Sequence, residues 1–479
     1  MTSSRWLFLI LLLAALLRFY SLGTESLWLD ETFTVRNVTM TYPELIRYFS
    51  NETQTILFHL IQKAWCDIVG LSEFAFRIPA LIFGLLSVYG TFLLTRELFS
   101  RSVALFSAFF MAINPFCIFY SQDARPYSLF LASAVFSCHF GILLLRRSDW
   151  KIYAGYVLST VIAFYTHPLA PLLFGVHVTG CFLFRNMPGS RPLRPLVLLG
   201  LMALCMVIFI PQLLLMKNAL VAKTAGVSGA SWIQIPNLNE FTRTIRQFFM
   251  NPRLCSAVLW IMAAVLIVKF SEVRKNWKEL LYLGAIVVCM MIGPWVASYV
   301  VTPLYVSRYV IPALAAFMIC LGWVVSVLPR TVRVICLAVL VYFSAVTLHA
   351  YYTGADKDPW RQTAAAVREV VQPGDLVIAH PFYTGSALFH YFKPQEGLTT
   401  VSVRTSEDLP ASVDTARRVI LVLSYDERPN EMHRGVIARI ARDRLVSMNR
   451  PLRPELHRNR WAYWIANIRV IVYERPDLP

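Results

Sequence analysis

Four short stretches combine residue types that do chemistry together. Two adjacent carboxylates, Asp30 and Glu31, follow Trp28 just after the first long apolar run, and Ser121-Gln-Asp123-Ala-Arg125-Pro-Tyr127 sets an acid two residues from a base. His167 precedes a proline in Tyr165-Thr-His167-Pro, and Ser307-Arg308-Tyr309 opens another apolar run with a cation. Each stretch alone has an ordinary structural reading. Asp30 and Glu31 suit a helix N-cap and first turn, where the helix dipole favours negative charge. Asp123 with Arg125 reads as a local ion pair, His167 as a turn residue, and Arg308 as a cation reaching toward the membrane surface. Together they are what a general base working beside a phosphate needs: carboxylates to take a proton, and guanidinium groups whose planar forks match phosphate oxygens.

The elements that must position these groups are apolar. Of 479 residues 57% are hydrophobic and only 15% charged, against roughly 25% charged in a soluble domain. Apolar runs dominate up to about Tyr352, starting near Trp6, Ile78, Val103, Pro126, Ile152, Pro168, Pro195, Cys255, Leu280, Arg308 and Arg333. Since about 20 apolar residues cross a bilayer as a helix, the pattern predicts about eleven spans. The first run lacks a small-residue cleavage site and reads as a retained anchor. Short basic segments alternate with longer, less basic ones. The basic set holds Arg96 and Arg101, then Arg146, Arg147 and Lys151, then Arg185, Arg191 and Arg194, then Lys269, Arg274, Lys275 and Lys278, and last Arg330 and Arg333. The positive-inside rule makes that set cytoplasmic. It puts the segment 22–77, the four chemical stretches and everything after Tyr352 on the extracytoplasmic side. The net charge of +17 is thereby used in orienting spans, and nucleic acid is not an expected partner.

Residues 353–479 change character. Short β-branched runs at Leu376–Ala379, Val419–Leu423 and Arg469–Tyr473 alternate with helix-like segments at Trp360–Val371 and Glu431–Arg444, predicting a small extracytoplasmic α/β domain. The expected organisation is a membrane domain over 1–352, including the outer loop 22–77, and a soluble domain over 353–479. The nine cysteines form no disulfide framework, and no Asp/His cluster has metal-ligand spacing. A divalent ion at Glu31 stays an open alternative.

At this point the motifs RFYSLGTESLWLDE, LSEFAFRIPALIFG, SQDARPYSL, FYTHPLAPLL, SRYVIPALAAF and DPWRQTAAAVREVVQPGDLVI, in that order along almost the whole chain, resemble those of bacterial family-39 glycosyltransferases. These are integral-membrane GT-C-fold relatives of the dolichyl-phosphate-mannose protein mannosyltransferases. The resemblance implies transfer of a sugar from a polyprenyl-phosphate-linked donor to an acceptor (protein, lipid or glycan) on the extracytoplasmic face of a bacterial plasma membrane. It assigns the family's acidic pair to Asp30 and Glu31, its DARPY turn to Asp123, Arg125 and Tyr127, and its RY element to Arg308 and Tyr309. Asp30 is then the expected base of an inverting single displacement. Arg308, Arg125 and His167 are the expected donor-phosphate contacts, and Glu31 positions the acceptor or holds a metal. One segment departs from the pattern: where close relatives carry His-Pro-Pro-Leu-Tyr-Tyr, this chain has Thr53-Gln-Thr-Ile-Leu-Phe58, which bears on the acceptor. The rival reading is a lipid-linked sugar transporter or flippase without chemistry. It predicts repeated halves and ionisable groups at mid-bilayer depth, neither of which the sequence displays.

Overall fold

Two Asn-Pro dipeptides shape the helical part of the molecule. Proline disfavours helical geometry in the residue before it and suits the first position of a new helix, while asparagine is a strong N-cap. At Asn114-Pro115 the helix Arg101–Ile113 ends and Pro115–Ser121 begins, with the Asn114 Oδ1 accepting from Cys117 N–H at 2.8 Å. At Asn251-Pro252 the helix Leu238–Phe249 gives way to Pro252–Val268, with Asn251 capping Arg253 and Leu254. The two pairs bend by 61° and 97°. They are also joined, because Asn114 Nδ2 donates to the Phe248 carbonyl at 2.8 Å.

The computed structural model describes residues 3–185, 194–224, 233–354, 357–393, 398–424, 431–452 and 468–476. The basic-loop residue Arg191 lies outside them. The chain divides into two units, Met1–Leu22 with Val38–His349, and Gly23–Asn37 with Ala350–Pro479. The second therefore takes in Gly23–Asn37, the part of the 22–77 segment that carries Asp30 and Glu31.

The first unit is helical. Among the described residues five helices are long and apolar enough to cross a membrane: Glu73–Leu98, Tyr127–Arg146, Arg194–Val221, Trp277–Val300 and Arg330–Thr353. Counting each bent pair as one span makes seven. The difference from about eleven apolar runs is one of helix length. The first run forms a 17-residue helix, Ser3–Phe19. The runs near Ile152, Pro168 and Arg308 form helices of 17, 12 and 16 residues. Burial sorts the long helices by place: 89% of the apolar window of Tyr127–Arg146 is buried but only 22% of that of Arg330–Thr353. The first therefore runs through the bundle core, while the second turns most of its apolar surface outward, as a lipid-facing helix does.

Among the described residues the second unit is built on a five-stranded sheet, β1 (Leu376–His380), β2 (Thr399–Ser402), β3 (Arg418–Ser424), β4 (Leu445–Leu452) and β5 (Ile468–Glu474), in the order β2-β1-β3-β5-β4. Strand β1 is parallel to β2 and β3, and β5 is antiparallel to β3 and β4. Alternate residues face opposite ways. Val377, Ile420, Val422, Val470 and Val472 pack with Trp360, Ala364 and Val367 of the helix Trp360–Val370. Leu376, Ile378, Leu421 and Leu423 pack with Val436 and Ile440 of the helix Glu431–Ile440. Leu29 joins the first of these cores, seating the Gly23–Asn37 segment on the domain.

Candidate active site

In the second unit the acidic pair opens the helix Leu29–Thr39. Thr32 N–H donates to the Trp28 carbonyl at 3.1 Å, so the helix starts before Asp30, and both carboxylates sit in its first turn rather than capping it. The two differ in surroundings. Asp30 is half-buried, whereas Glu31 is fully buried. Glu31 Oε2 meets Lys357 Nζ at 3.0 Å, with side-chain exposures of 0% and 2%, and also accepts from Trp28 N–H at 3.3 Å. Around this pair the segment is pinned to the domain by hydrogen bonds. Ser26 Oγ donates to the Asp358 carbonyl at 2.7 Å, Leu27 N–H donates to the Tyr391 hydroxyl at 2.7 Å, and Thr32 Oγ1 lies 3.3 Å from Ser386 Oγ. Asp358 is buried, with Trp360 Nε1 donating to its carboxylate at 3.2 Å. Lys357 and Asp358 were not among the sequence candidates. Their signal was the run Lys357-Asp-Pro-Trp360, charges set against an aromatic at a domain's edge.

In the first unit the other stretches come together. The turn after Pro115–Ser121 carries Asp123, fully buried, and Arg125, nearly so, with Arg125 N–H donating to the Asp123 carbonyl at 2.7 Å. Ser128 Oγ closes the turn onto the Tyr120 carbonyl at 2.6 Å. Tyr127 then starts the core helix, its ring edge-on to Tyr120 at 5.1 Å. Arg308, in the 3-10 turn Ser307–Val310, is only 5% exposed. Its guanidinium lies 5.8 Å from the ring centroids of both Tyr127 and Tyr309, whose rings stack at 6.2 Å. Such cation–π contacts hold a planar cation in a water-poor site. A cation so enclosed is not one reaching out along a lipid-facing surface.

His167 completes the cluster, stacked on Phe130 at 4.5 Å and edge-on to Tyr309 at 5.0 Å. Burial pushes it down to about 3, so the ring is neutral at physiological pH. Leu169 N–H donates to its Nδ1 at 3.2 Å, which leaves the proton on Nε2 as a donor. His59, at the start of Leu57–Val69 and just past the divergent 53–58 segment, is buried against Phe49 at 4.7 Å. Burial, with the nearby Arg125 charge second, holds it well below the usual imidazole range. The sequence placed no role on His59, since a lone histidine on a helix gives no signal of which loop it faces. Among the described residues no group of three or more His, Cys, Asp or Glu side chains is placed to hold a metal ion. The acidic pair and the arginine–aromatic cluster thus belong to different units, each ordered within its own.

The comparisons with known proteins bear on both units. Residues 53–215 match the model of the dolichyl-phosphate-mannose-protein mannosyltransferase family. No curated protein matches the sequence. Among solved structures, ArnT from Cupriavidus metallidurans in the apo state superposes with a TM-score of 0.64 at 12% identity, covering 98% of each chain. The same protein bound to undecaprenyl phosphate gives 0.59 at 12% identity, again over 98% of both chains. The archaeal oligosaccharyltransferase AglB from Archaeoglobus fulgidus, in complex with an inhibitory peptide and a dolichol-phosphate, gives 0.51 at 11% identity over 87% of this chain and 69% of its own. The chain is thus a multi-pass membrane protein that shares the GT-C-like fold of ArnT, and its residues 53–215 are similar to the dolichyl-phosphate-mannose-protein mannosyltransferase family.

Proposed function

We propose that the protein transfers a sugar from a polyprenyl-phosphate-linked donor to an acceptor hydroxyl on the extracytoplasmic side of the membrane, by inverting single displacement. Asp30 takes the proton of the acceptor hydroxyl as its oxygen attacks the anomeric carbon. The bond from that carbon to the phosphate oxygen breaks, and the lipid phosphate departs with its electron pair. Negative charge grows on the phosphate in the transition state, so fixed cations facing it bind the transition state better than the ground state. Arg308 and Arg125 fill that role. His167 adds a neutral Nε2–H donor to a phosphate oxygen, and Tyr127 and Tyr309 hold the Arg308 plane. Glu31, committed to Lys357, keeps in place the helix that presents Asp30.

The observation that carries this reading is the buried Arg308 guanidinium framed by two tyrosines, with His167 packed against the same Tyr309. Enclosure by aromatic faces gives an arginine the low-dielectric setting in which it counts most against a departing phosphate. Three further points support it: ArnT is known with undecaprenyl phosphate bound, AglB is known with a dolichol-phosphate, and the basic-loop pattern puts the four chemical stretches on the outer face.

The test is transfer from an undecaprenyl-phosphate-linked sugar by purified protein. The wild type forms a new glycosidic bond and releases undecaprenyl phosphate, whereas Asp30→Asn, expressed and folded normally, does not. Movement of the lipid-linked sugar between leaflets with no new bond would establish the flippase reading instead. Unchanged transfer by Asp30→Asn would remove Asp30 as the base.

A further inference from the structure

Arg18, at the end of the first helix, is fully buried and takes no part in the chemistry above. Its five N–H donors are all engaged within the protein. Nε donates to Ser121 Oγ at 3.1 Å, and Nη1 to the carbonyls of Ala14 at 3.2 Å and Ala112 at 2.9 Å. Nη2 donates to the Met111 carbonyl at 3.3 Å and meets Cys117 Sγ at 3.3 Å. Guanidinium has five donors, so none is left for a substrate.

Its partners explain why a cation is buried here. The break at Pro115 strips the last carbonyls of Arg101–Ile113 of intrahelical partners and exposes the negative end of that helix. Arg18 satisfies two of those carbonyls and, on the far side of the break, grips Ser121, the last residue of the short second limb. The grip is returned: Gln122 Nε2 donates to the carbonyls of Arg18 at 2.9 Å and Tyr20 at 2.7 Å. The next residues are Asp123, Arg125 and Tyr127.

We infer that Arg18 is a positioning residue for the donor-phosphate cluster: it locks the angle and register of the broken helix and so sets where the 122–127 turn presents Arg125 and Tyr127. This rests on the proposed function and extends it to a residue that touches no substrate. Gly84 supplies an independent handle on the same junction. A Cβ at Gly84 would stand 2.0 Å from Ser121 Oγ and 2.6 Å from Ser121 Cβ, so alanine there shifts the clasp without removing a hydrogen-bonding group. Gly90, on the same helix Glu73–Leu98, gives a matched control: its Cβ would meet Phe136 and Val135 at 3.2 Å, away from the turn.

The experiment measures equilibrium binding of undecaprenyl phosphate to purified full-length protein, with melting recorded for each variant. Misplacement by about 1 Å can cost roughly 100-fold in a preorganised site, so Arg18→Lys and Gly84→Ala are expected to weaken binding roughly tenfold or more. Gly90→Ala should lower the melting temperature but keep Kd within about twofold, because core strain that does not reach the turn leaves the site alone. Unchanged Kd in folded Arg18→Lys and Gly84→Ala overturns the inference, as does a Kd loss in Gly90→Ala matching theirs. Should Arg18→Lys fail to fold, Gly84→Ala decides. A wild type that does not bind undecaprenyl phosphate fails differently, sinking the donor assignment and this inference with it.

Discussion

Replacing Lys357 alone should cost more stability than replacing Lys357 and Glu31 together. The pair is 3.0 Å apart with neither side chain more than 2% exposed. At an effective dielectric near 20, two unit charges at that distance attract by roughly 5–6 kcal/mol. Taking both ions from water costs several kcal/mol each, so the intact pair contributes little net stability. Removing one partner is another matter, because the remaining charge keeps its desolvation cost and loses its compensation, a penalty of about 3–5 kcal/mol. Lys357→Met should therefore lower the melting temperature by roughly 10 °C, and transfer should fall as the Leu29–Thr39 helix loses its anchor. Glu31→Gln with Lys357→Met, neutral and of similar volume, should recover more than half of both losses, a coupling of about 2–3 kcal/mol. The assay is a double-mutant cycle read by thermal melting and by initial transfer rate. Additive losses would refute the reasoning, since they would mean the two side chains act separately. A double variant that melts normally but does not transfer sugar would instead make Glu31 a direct participant in catalysis.

Arg308→Lys, which keeps the charge but not the planar fork set between two tyrosines, should lower the transfer rate roughly 100-fold, measured as initial velocity at saturating donor. On the proposed mechanism, combining Asp30→Asn with Arg308→Lys should lose little more than the worse single variant; multiplying losses would assign them to separate steps. Lys357 already supplies the cation that meets Glu31, so chelator treatment should leave the initial rate unchanged, and restoration of a lost rate by added divalent ion would contradict this. In the second unit, His433 Nδ1 meets His380 Nε2 at 2.8 Å while His380 Nδ1 faces the Val403 carbonyl at 3.0 Å. Burial, offset in part by that carbonyl and helped by His433, lowers the His380 imidazole below its usual 6.5. A histidine held neutral in the fold stabilises fully above its unfolded value, and that stability is lost as pH falls toward the folded one. Melting temperature should thus decline below about pH 6.5, and His380→Gln should flatten the decline; an unchanged slope would show that other groups set it.

Much of the membrane bundle was legible because hydropathy needs only local sequence. The helix lengths were not. An apolar run at Pro168 or Arg308 looks like a span whether it forms one long helix or a turn and a shorter helix, and only packing decides that. The cluster of Arg308, Tyr127, Tyr309 and His167 was legible as separate stretches sharing a chemistry, since aromatic and cationic residues at the ends of apolar runs stand out. Their stacking distances were not, because they join residues from three distant parts of the chain. Strands β1, β3 and β5 carry runs rich in β-branched residues and are legible in the sequence. The edge strands β2 (Thr399–Ser402) and β4 (Leu445–Leu452) are short or mostly exposed, and their pattern gives no such signal.

The acidic pair teaches a different lesson. Sequence proximity groups Asp30 with the loop it interrupts, and hydropathy offers no reason to divide that loop. Yet Leu29 packs in the same core as Trp360, and Glu31 is neutralised by a lysine 326 positions later. The segment folds as part of the C-terminal domain because burying Glu31 demands a cation, and the one that meets it lies there. Adjacent acids of one sequence type are thereby given opposite tasks. Glu31, enclosed and paired with Lys357, is given the task of holding the helix in the proposed mechanism. Asp30, one residue earlier on the same turn and half open, keeps the exposure that a proton acceptor needs, and that asymmetry is why the proposed mechanism assigns the base to Asp30 rather than to its neighbour.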